Sequence, residues 1–239
     1  KEFAPAWVVW PLLAYFAVSL SSKVQIGYRH ILPIFPFFII LAGLFAGWLF
    51  SQKGYAKVFV LFLAAWQLGS VCSVGPHYLS YFNESIGGSR RGYRYLVDSN
   101  LDWGQALQSL AQELRSWGNP PIYFSYFGSA DPAAYGVKYV PLLPVSNVED
   151  RKVQRVFPAR SSRLLLAVSA TNLQAAYWSD KAVWEWLKRR KPVKQIGYAI
   201  FLYDLTGDRD GLKSLAALFS RSGNPGEARE ILVFLDRKK

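Results

Sequence analysis

The first third of the chain alternates long uncharged stretches with short basic loops, and the rest does not. Residues 3–22, 31–52 and 58–77 carry no charge when histidine is neutral. Each is close to the ~20 residues with which a helix crosses a bilayer core of ~30 Å. Three such stretches in succession are rare in soluble proteins, where an uncharged run is a buried core helix. We therefore expect three transmembrane helices, at about 3–22, 31–50 and 58–76, forming a multi-pass α-helical membrane segment over 1–76. Trp7, Trp10, Trp48, Tyr28 and Tyr55 lie near the ends of these runs. Amphipathic rings settle at membrane interfaces.

The pattern changes near Pro76. Charges become frequent and the apolar runs shorten, which predicts a small soluble α/β domain over 77–205. "YRYLV" (93–97) reads as a strand, and "DWGQALQSLAQELRSW" (102–117) as a helix with Leu107, Leu110, Ala111, Leu114 and Trp117 at helical spacing. "NPP" breaks it before a second strand, "IYFSYF". "DPAAYG" gives a helical turn with Pro132 at its first position. "VKYVPLLPV" is extended, and the charged "VEDRKVQRVFPARSS" is a partly helical connection. "RLLLAVSA" is apolar throughout, as a central strand is. "YWSDKAVWEWLKRRK" reads as a helix starting near Ser179 or Asp180, and "QIGYAIFLYDL" as one final strand. Strands alternating with helices predict a parallel or mostly parallel sheet. Residues 206–239 predict a C-terminal helical hairpin around "SGNPG". It resembles one tetratricopeptide-like helix pair, but a single copy cannot bury its faces, so a plain hairpin is the better expectation.

Composition narrows the picture. The 239 residues include no Met and begin Lys1-Glu2-Phe3, so we expect an internal or C-terminal piece of a longer protein. The apolar start lacks a small-residue cleavage pattern, so it is not expected to be a secretory signal. The single cysteine, Cys72, rules out an intrachain disulfide, and two histidines are too few for a His-rich metal site. The net charge of +12 does not by itself imply nucleic acid. That would need basic residues interleaved with exposed aromatics on one face. "KRRKPVK" (188–194) instead ends a helix, where cations suit the dipole. "IGGSRRG" (86–92) lacks the Lys-Ser/Thr ending of a nucleotide P-loop and reads as a juxtamembrane loop facing headgroups, with phosphate cradling as the alternative.

The stretch "VDSNLDWGQ" (97–105) is the densest polar chemistry in the chain. If "YRYLV" is a strand, Asp98, Asn100, Asp102, Trp103 and Gln105 lie past its carboxyl end, where open α/β sheets bind ligands. They form a candidate acceptor or ligand edge. Against that, Asp102 and Gln105 have capping-box spacing, and Asp98, Ser99 and Asn100 are ordinary turn formers. Asp98 and Asp102 alone supply too few oxygens for Mg²⁺ or Ca²⁺, so a divalent metal is possible there but not indicated, and no cofactor is certain.

Two segments carry a resemblance. "GYRHILPIFPF" (27–37) resembles the stretch that opens a late transmembrane helix in phospholipid-carrier-dependent glycosyltransferases. These are the family 39 enzymes, similar to protein O-mannosyltransferases and aminoarabinose transferases. "PHYLSYFNESIGGSRRGYRYLVDSNLDWGQAL" (76–107) looks like the segment joining the last membrane helix to the soluble domain in bacterial members. From about Asn119 onward the similarity is loose. The resemblance implies transfer of a sugar from a polyprenyl-phosphate donor to a protein, lipid or glycan acceptor, on the outer face of the cytoplasmic (plasma) membrane. It implies that Arg29, helped by Tyr28 and His30, binds the carrier phosphate. Arg29 and His30 could equally anchor a helix end in the headgroups. The family's catalytic base is an acidic residue in the first extracytoplasmic loop, and nothing here matches it, so the catalytic residues are unknown and this chain is expected to lack the base.

Topology depends on Arg29. The two loops between the apolar runs tie in basic residues, Lys23 and Arg29 against Lys53 and Lys57. If Arg29 serves phosphate chemistry, the second loop is the cytoplasmic one, and the soluble domain is extracytoplasmic. Two other functions compete. One is a non-catalytic, membrane-anchored module that binds glycans or partner proteins. The other is a transporter fragment, disfavoured because the apolar runs hold no charge.

Overall fold

A computed structural model describes residues 6–23, 27–52, 54–142 and 156–237. The chain divides into two compact units, Lys1–Pro76 and His77–Lys239.

The first unit is helical. Helix α1 spans Ala6–Ser21, a 3-10 turn spans Gly27–Ile34 and runs directly into α2 (Phe35–Ser51), and α3 spans Tyr55–Val74. Among the described residues, two continuous helical stretches, Gly27–Ser51 and Tyr55–Val74, are long and apolar enough to cross a membrane. The expected third does not reach that length, because the described α1 covers 16 residues. None of α2 is buried, and α3 buries only Ser70 and Val74. Ile39, Trp48, Phe59 and Leu68 instead lie exposed. These helices are therefore not core helices of their own unit.

The second unit is a five-stranded sheet between helices. It contains α4 (Ser89–Gly92), α5 (Leu107–Ser116), β1 (Ile122–Ser125), β2 (Tyr139–Pro141), β3 (Leu165–Ser169) and α6 (Ala170–Leu173). Then come α7 (Glu185–Lys188), β4 (Lys194–Ile196), β5 (Ile200–Asp204), α8 (Arg209–Arg221) and α9 (Pro225–Arg237). The strand order is β2-β1-β3-β5-β4, with β3 central. Alternation along the strands divides the core into two layers. Ile122, Phe124, Leu165 and Ala167 share a cluster with Leu107, Leu110 and Leu114 of α5. Tyr123, Leu166 and Val168 share the other with Leu215 and Phe219 of α8 and Ile231 of α9. The hairpin α8–α9 thus covers one face of the sheet, burying the faces a lone helix pair would leave wet.

Several expectations are corrected here. The sheet is mixed: β1 pairs in parallel with β2 and β3, while β5 pairs antiparallel with β3 and β4. The expected final strand is a hairpin, β4–β5, because Gly197 and Tyr198 take positive φ angles of 54° and 61° and reverse the chain. "YRYLV" is no strand. Tyr95 and Leu96 donate their N–H groups back to the Gly92 carbonyl at 2.9 and 3.1 Å, so the stretch continues the turns of α4. The helix expected over "YWSDKAVWEWLKRRK" is one short turn, α7. Lys181 Nζ donates to the carbonyls of Ala175 and Ala176, both at 3.0 Å, and holds the preceding residues in turns. The far end of "VKYVPLLPV" and most of the charged connection after it lie outside the described residues.

Candidate functional site

Each unit carries one polar cluster that the sequence singles out. In the helical unit it is the 3-10 turn ahead of α2. Gly27, at φ 66°, opens the turn, and Pro33 and Pro36 suit a helix entry with few free N–H groups. Tyr28 and Arg29 are exposed and His30 is half-buried. The Tyr28 ring packs on Phe35 with centroids 4.5 Å apart, and the Tyr15 hydroxyl of α1 donates to the His30 carbonyl at 3.1 Å. A 3-10 helix has three residues per turn, so adjacent side chains leave it about 120° apart. Tyr28, Arg29 and His30 therefore do not converge on one face. Arg29 is the member with reach and permanent charge.

In the α/β unit the cluster is built on "VDSNLDWGQ". It does not cap α5. That helix starts at Leu107, its N-cap position is Ala106, and no side chain caps it. The expected capping box is displaced. Asp102 Oδ1 accepts from the Gly104 N–H at 2.8 Å, and Gln105 Oε1 accepts from the Trp103 N–H at 2.7 Å. Both are local turn bonds of the kind aspartate and amide side chains make readily. Gln105 Nε2 also donates to the Leu101 carbonyl at 2.9 Å, so Gln105 is occupied in holding the turn.

The cluster does lie at the carboxyl end of a strand, though not the expected one. The Asp98 N–H donates to Thr171 Oγ1 at 2.9 Å, just beyond β3. Asp98 has φ 57°, a left-handed conformation that aspartate tolerates better than most residues. It turns the chain so that the Leu101 and Asp102 N–H groups return to the Asp98 carbonyl at 2.9 and 2.7 Å. Asn172 Nδ2 donates to Ser125 Oγ at 3.0 Å, and Ser169 Oγ accepts from the Phe127 N–H at 3.0 Å, tying the ends of β1 and β3 together. Gly104 approaches closely: a Cβ there would overlap the Tyr126 hydroxyl.

Asp102 is the electrostatic anomaly. It is 1 % exposed, and its Oδ2 has no hydrogen-bond partner among the described residues. Burial pushes its carboxyl up to about 7, with the Asp98 charge adding to the rise and the Gly104 N–H opposing it. A buried carboxyl takes up a proton rather than bear an unpaired charge. Near neutral pH Asp102 can therefore hold or release one. Trp103 is its opposite, 58 % exposed. Its indole N–H is already donated to the Ser99 carbonyl at 2.9 Å, so what faces outward is apolar ring.

No family model, curated protein or solved structure matches this chain. Among the described residues no three His, Cys, Asp or Glu side chains gather where a metal could sit. The structure therefore sorts the sequence candidates by access. Trp103, Asn100 and Asp98 reach the surface in whole or part, Asp102 lies beneath them, and Gln105 is scaffold. Thr171, Asn172, Ser125 and Ser169 were missed. Their one signal is polar residues set directly on the ends of apolar strand runs, "IYFS" and "LLAVSATN".

Proposed function

We propose that this chain is part of an integral membrane glycosyltransferase that moves a sugar from a polyprenyl-phosphate donor to a protein, lipid or glycan acceptor. The observation that carries this is the exposed Arg29 on a turn continuous with an entirely apolar helix. An apolar helix presented outward suits lipid tails, and a guanidinium at its head suits a phosphate at the membrane surface. The leaving group of the transfer is that phosphate. Arg29 presents a planar fork of donors to it and stabilises the charge that grows as the glycosidic bond breaks. The base that takes the acceptor proton is not assigned. With Arg29 on the outer face, Lys53 and Lys57 mark the cytoplasmic side and the α/β unit is extracytoplasmic.

The test is donor titration of the full-length enzyme. Arg29→Lys keeps the charge but loses the fork, so donor affinity should fall about tenfold or more. Arg29→Ala should fall further. Near-native affinity in both variants would remove Arg29 from the site, because headgroup anchoring is served equally by lysine.

A second reading rests on the other unit: a membrane-anchored module for glycans or partner proteins. Its observation is Trp103, exposed with its polar atom already bonded, beside Asp98 and Asn100. Aromatic ring with adjacent polar groups is what a ligand edge requires.

A further inference from the structure

The two basic runs of the α/β unit, "IGGSRRG" and "KRRKPVK", are about a hundred residues apart in the chain. They meet around one cavity of about 350 Å³. Arg90 of the first run and Arg94, two residues past its end, line one side, and Lys188 and Arg190 of the second run line the other. No acidic residue is among the lining side chains. Gln195 joins the two sides: its Nε2 donates to the Arg90 carbonyl at 3.3 Å and to the Tyr198 carbonyl at 3.1 Å. The wall between is aromatic, Tyr93 against Phe201 with ring centroids 4.6 Å apart, and Tyr203 beside them.

The four cations are not equally engaged. Arg190 is held by Asp208 and donates to the Trp186 carbonyl at 2.5 Å. Lys188 is paired with Glu185 at 2.8 Å. Arg90 and Arg94 have no carboxylate partner among the described residues. Arg94 reaches only the Tyr93 hydroxyl, at 3.4 Å. Two of the four positive charges thus remain uncompensated, over an aromatic wall and in a concavity of ligand size.

We propose that this cavity binds a phosphate ester, with Arg90 and Arg94 gripping the phosphate and Tyr93 and Phe201 contacting the organic part. Guanidinium forks match phosphate oxygens in pairs. Arg190 and Lys188, fixed by their carboxylates, shape the far wall. The ester is either a lipid headgroup or a soluble phosphate ester, and the chemistry that recognises it is the same. The site lies wholly in the α/β unit and does not depend on the transferase reaction.

The experiment uses the full chain and the double variant Arg90→Gln/Arg94→Gln. Both residues are exposed, so the substitutions leave the core intact, and circular dichroism checks that they do. Arg115→Gln, at a remote exposed arginine, is the control. In a phosphate-free nonionic detergent, equilibrium dialysis measures binding of glycerol 3-phosphate and inorganic phosphate. Saturable, salt-sensitive binding, tighter for the ester and weakened tenfold or more in the double variant only, assigns a soluble ester. In nanodiscs of phosphatidylcholine with or without phosphatidylglycerol, hydrogen exchange is read over residues 88–95. Slowing that needs the anionic lipid and vanishes in the double variant assigns a headgroup. Failure of both arms, or equal responses from native and double variant, overturns the proposal. Neither result bears on donor affinity at Arg29, so this site and the transferase stand or fall separately.

Discussion

Phe45 and Phe219 are the same side chain in opposite surroundings. Phe45 on α2 is 44 % exposed and touches Trp48, while Phe219 on α8 is fully buried against Tyr123. The helical unit turns apolar residues outward; the α/β unit turns them inward. Water drives the second arrangement. The first is stable only where something other than water covers α2 and α3, and contiguous exposed apolar surface on that scale marks a membrane or partner contact. The two units thus direct their apolar side chains in opposite senses.

Truncation gives the largest contrast. Phe219→Ala should destabilise the α/β unit by about 3–5 kcal/mol, through lost burial and the cavity left behind. Phe45→Ala should change stability by no more than about 0.5 kcal/mol in a lipid bilayer, as substitutions outside a packed core do. Native-state hydrogen exchange of β3 and α2 amides in the reconstituted full chain reads both. Comparable costs at the two positions would mean that α2 packs in a core after all.

Charge separates the units as well. Among the described residues the helical unit holds no buried carboxylate, whereas the α/β unit buries Asp102. Because its folded-state carboxyl is raised from 3.8 to about 7, the native state holds the proton over a range where the unfolded chain has lost it. Stability from this group is therefore complete below pH ~4 and is lost as pH rises towards 7. The full difference is on the order of 4 kcal/mol. Asp102→Asn keeps an oxygen for the Gly104 N–H and cannot ionise. Relative to native it should gain stability steadily between pH 4 and 7. A stability difference that stays flat over that range would place the Asp102 carboxylate in contact with water or a cation.

Asp102 also shows where the sequence was legible and where it was not. The strands β1 and β3 and the helices of the α8–α9 hairpin follow from local periodicity. The strand expected at "YRYLV" fails because its aromatic residues pack from turns, Tyr93 on Phe201, rather than from a ladder. The capping box fails by one residue, because Gln105 reaches the Trp103 N–H instead of the Asp102 N–H. Both errors concern partners far apart in the chain or choices between adjacent donors, and residue spacing is blind to either. Thr171 and Asn172 were missed for the same reason: only the fold brings "LLAVSATN" to the underside of "VDSNLDWGQ".

The smallest effect concerns how helices begin. Neither α2 nor α3 has a side-chain cap or an acidic first turn, whereas α8 is capped by Asp208, which accepts from the Gly211 N–H at 2.9 Å. Asp208 also holds Arg190. That hydrogen bond, foremost, keeps its carboxyl below the usual range, against a weaker opposing effect of burial. Asp208→Ala removes cap and pair together and should cost about 1–2 kcal/mol. Asp208→Asn keeps the cap, since asparagine caps about as well, and should cost under about 1 kcal/mol, the pair being partly exposed. The pH signs are opposite to those at Asp102. A depressed carboxyl stabilises above its unfolded value of 3.8 and loses that contribution as pH falls through its folded value. The Asp208→Asn penalty should therefore be present at pH 7 and begin to fade only below pH ~4, vanishing once pH has fallen beneath the depressed folded value and the native carboxyl is neutral too. If the penalty instead grew on acidification, the Arg190 pair would not be what holds Asp208 charged.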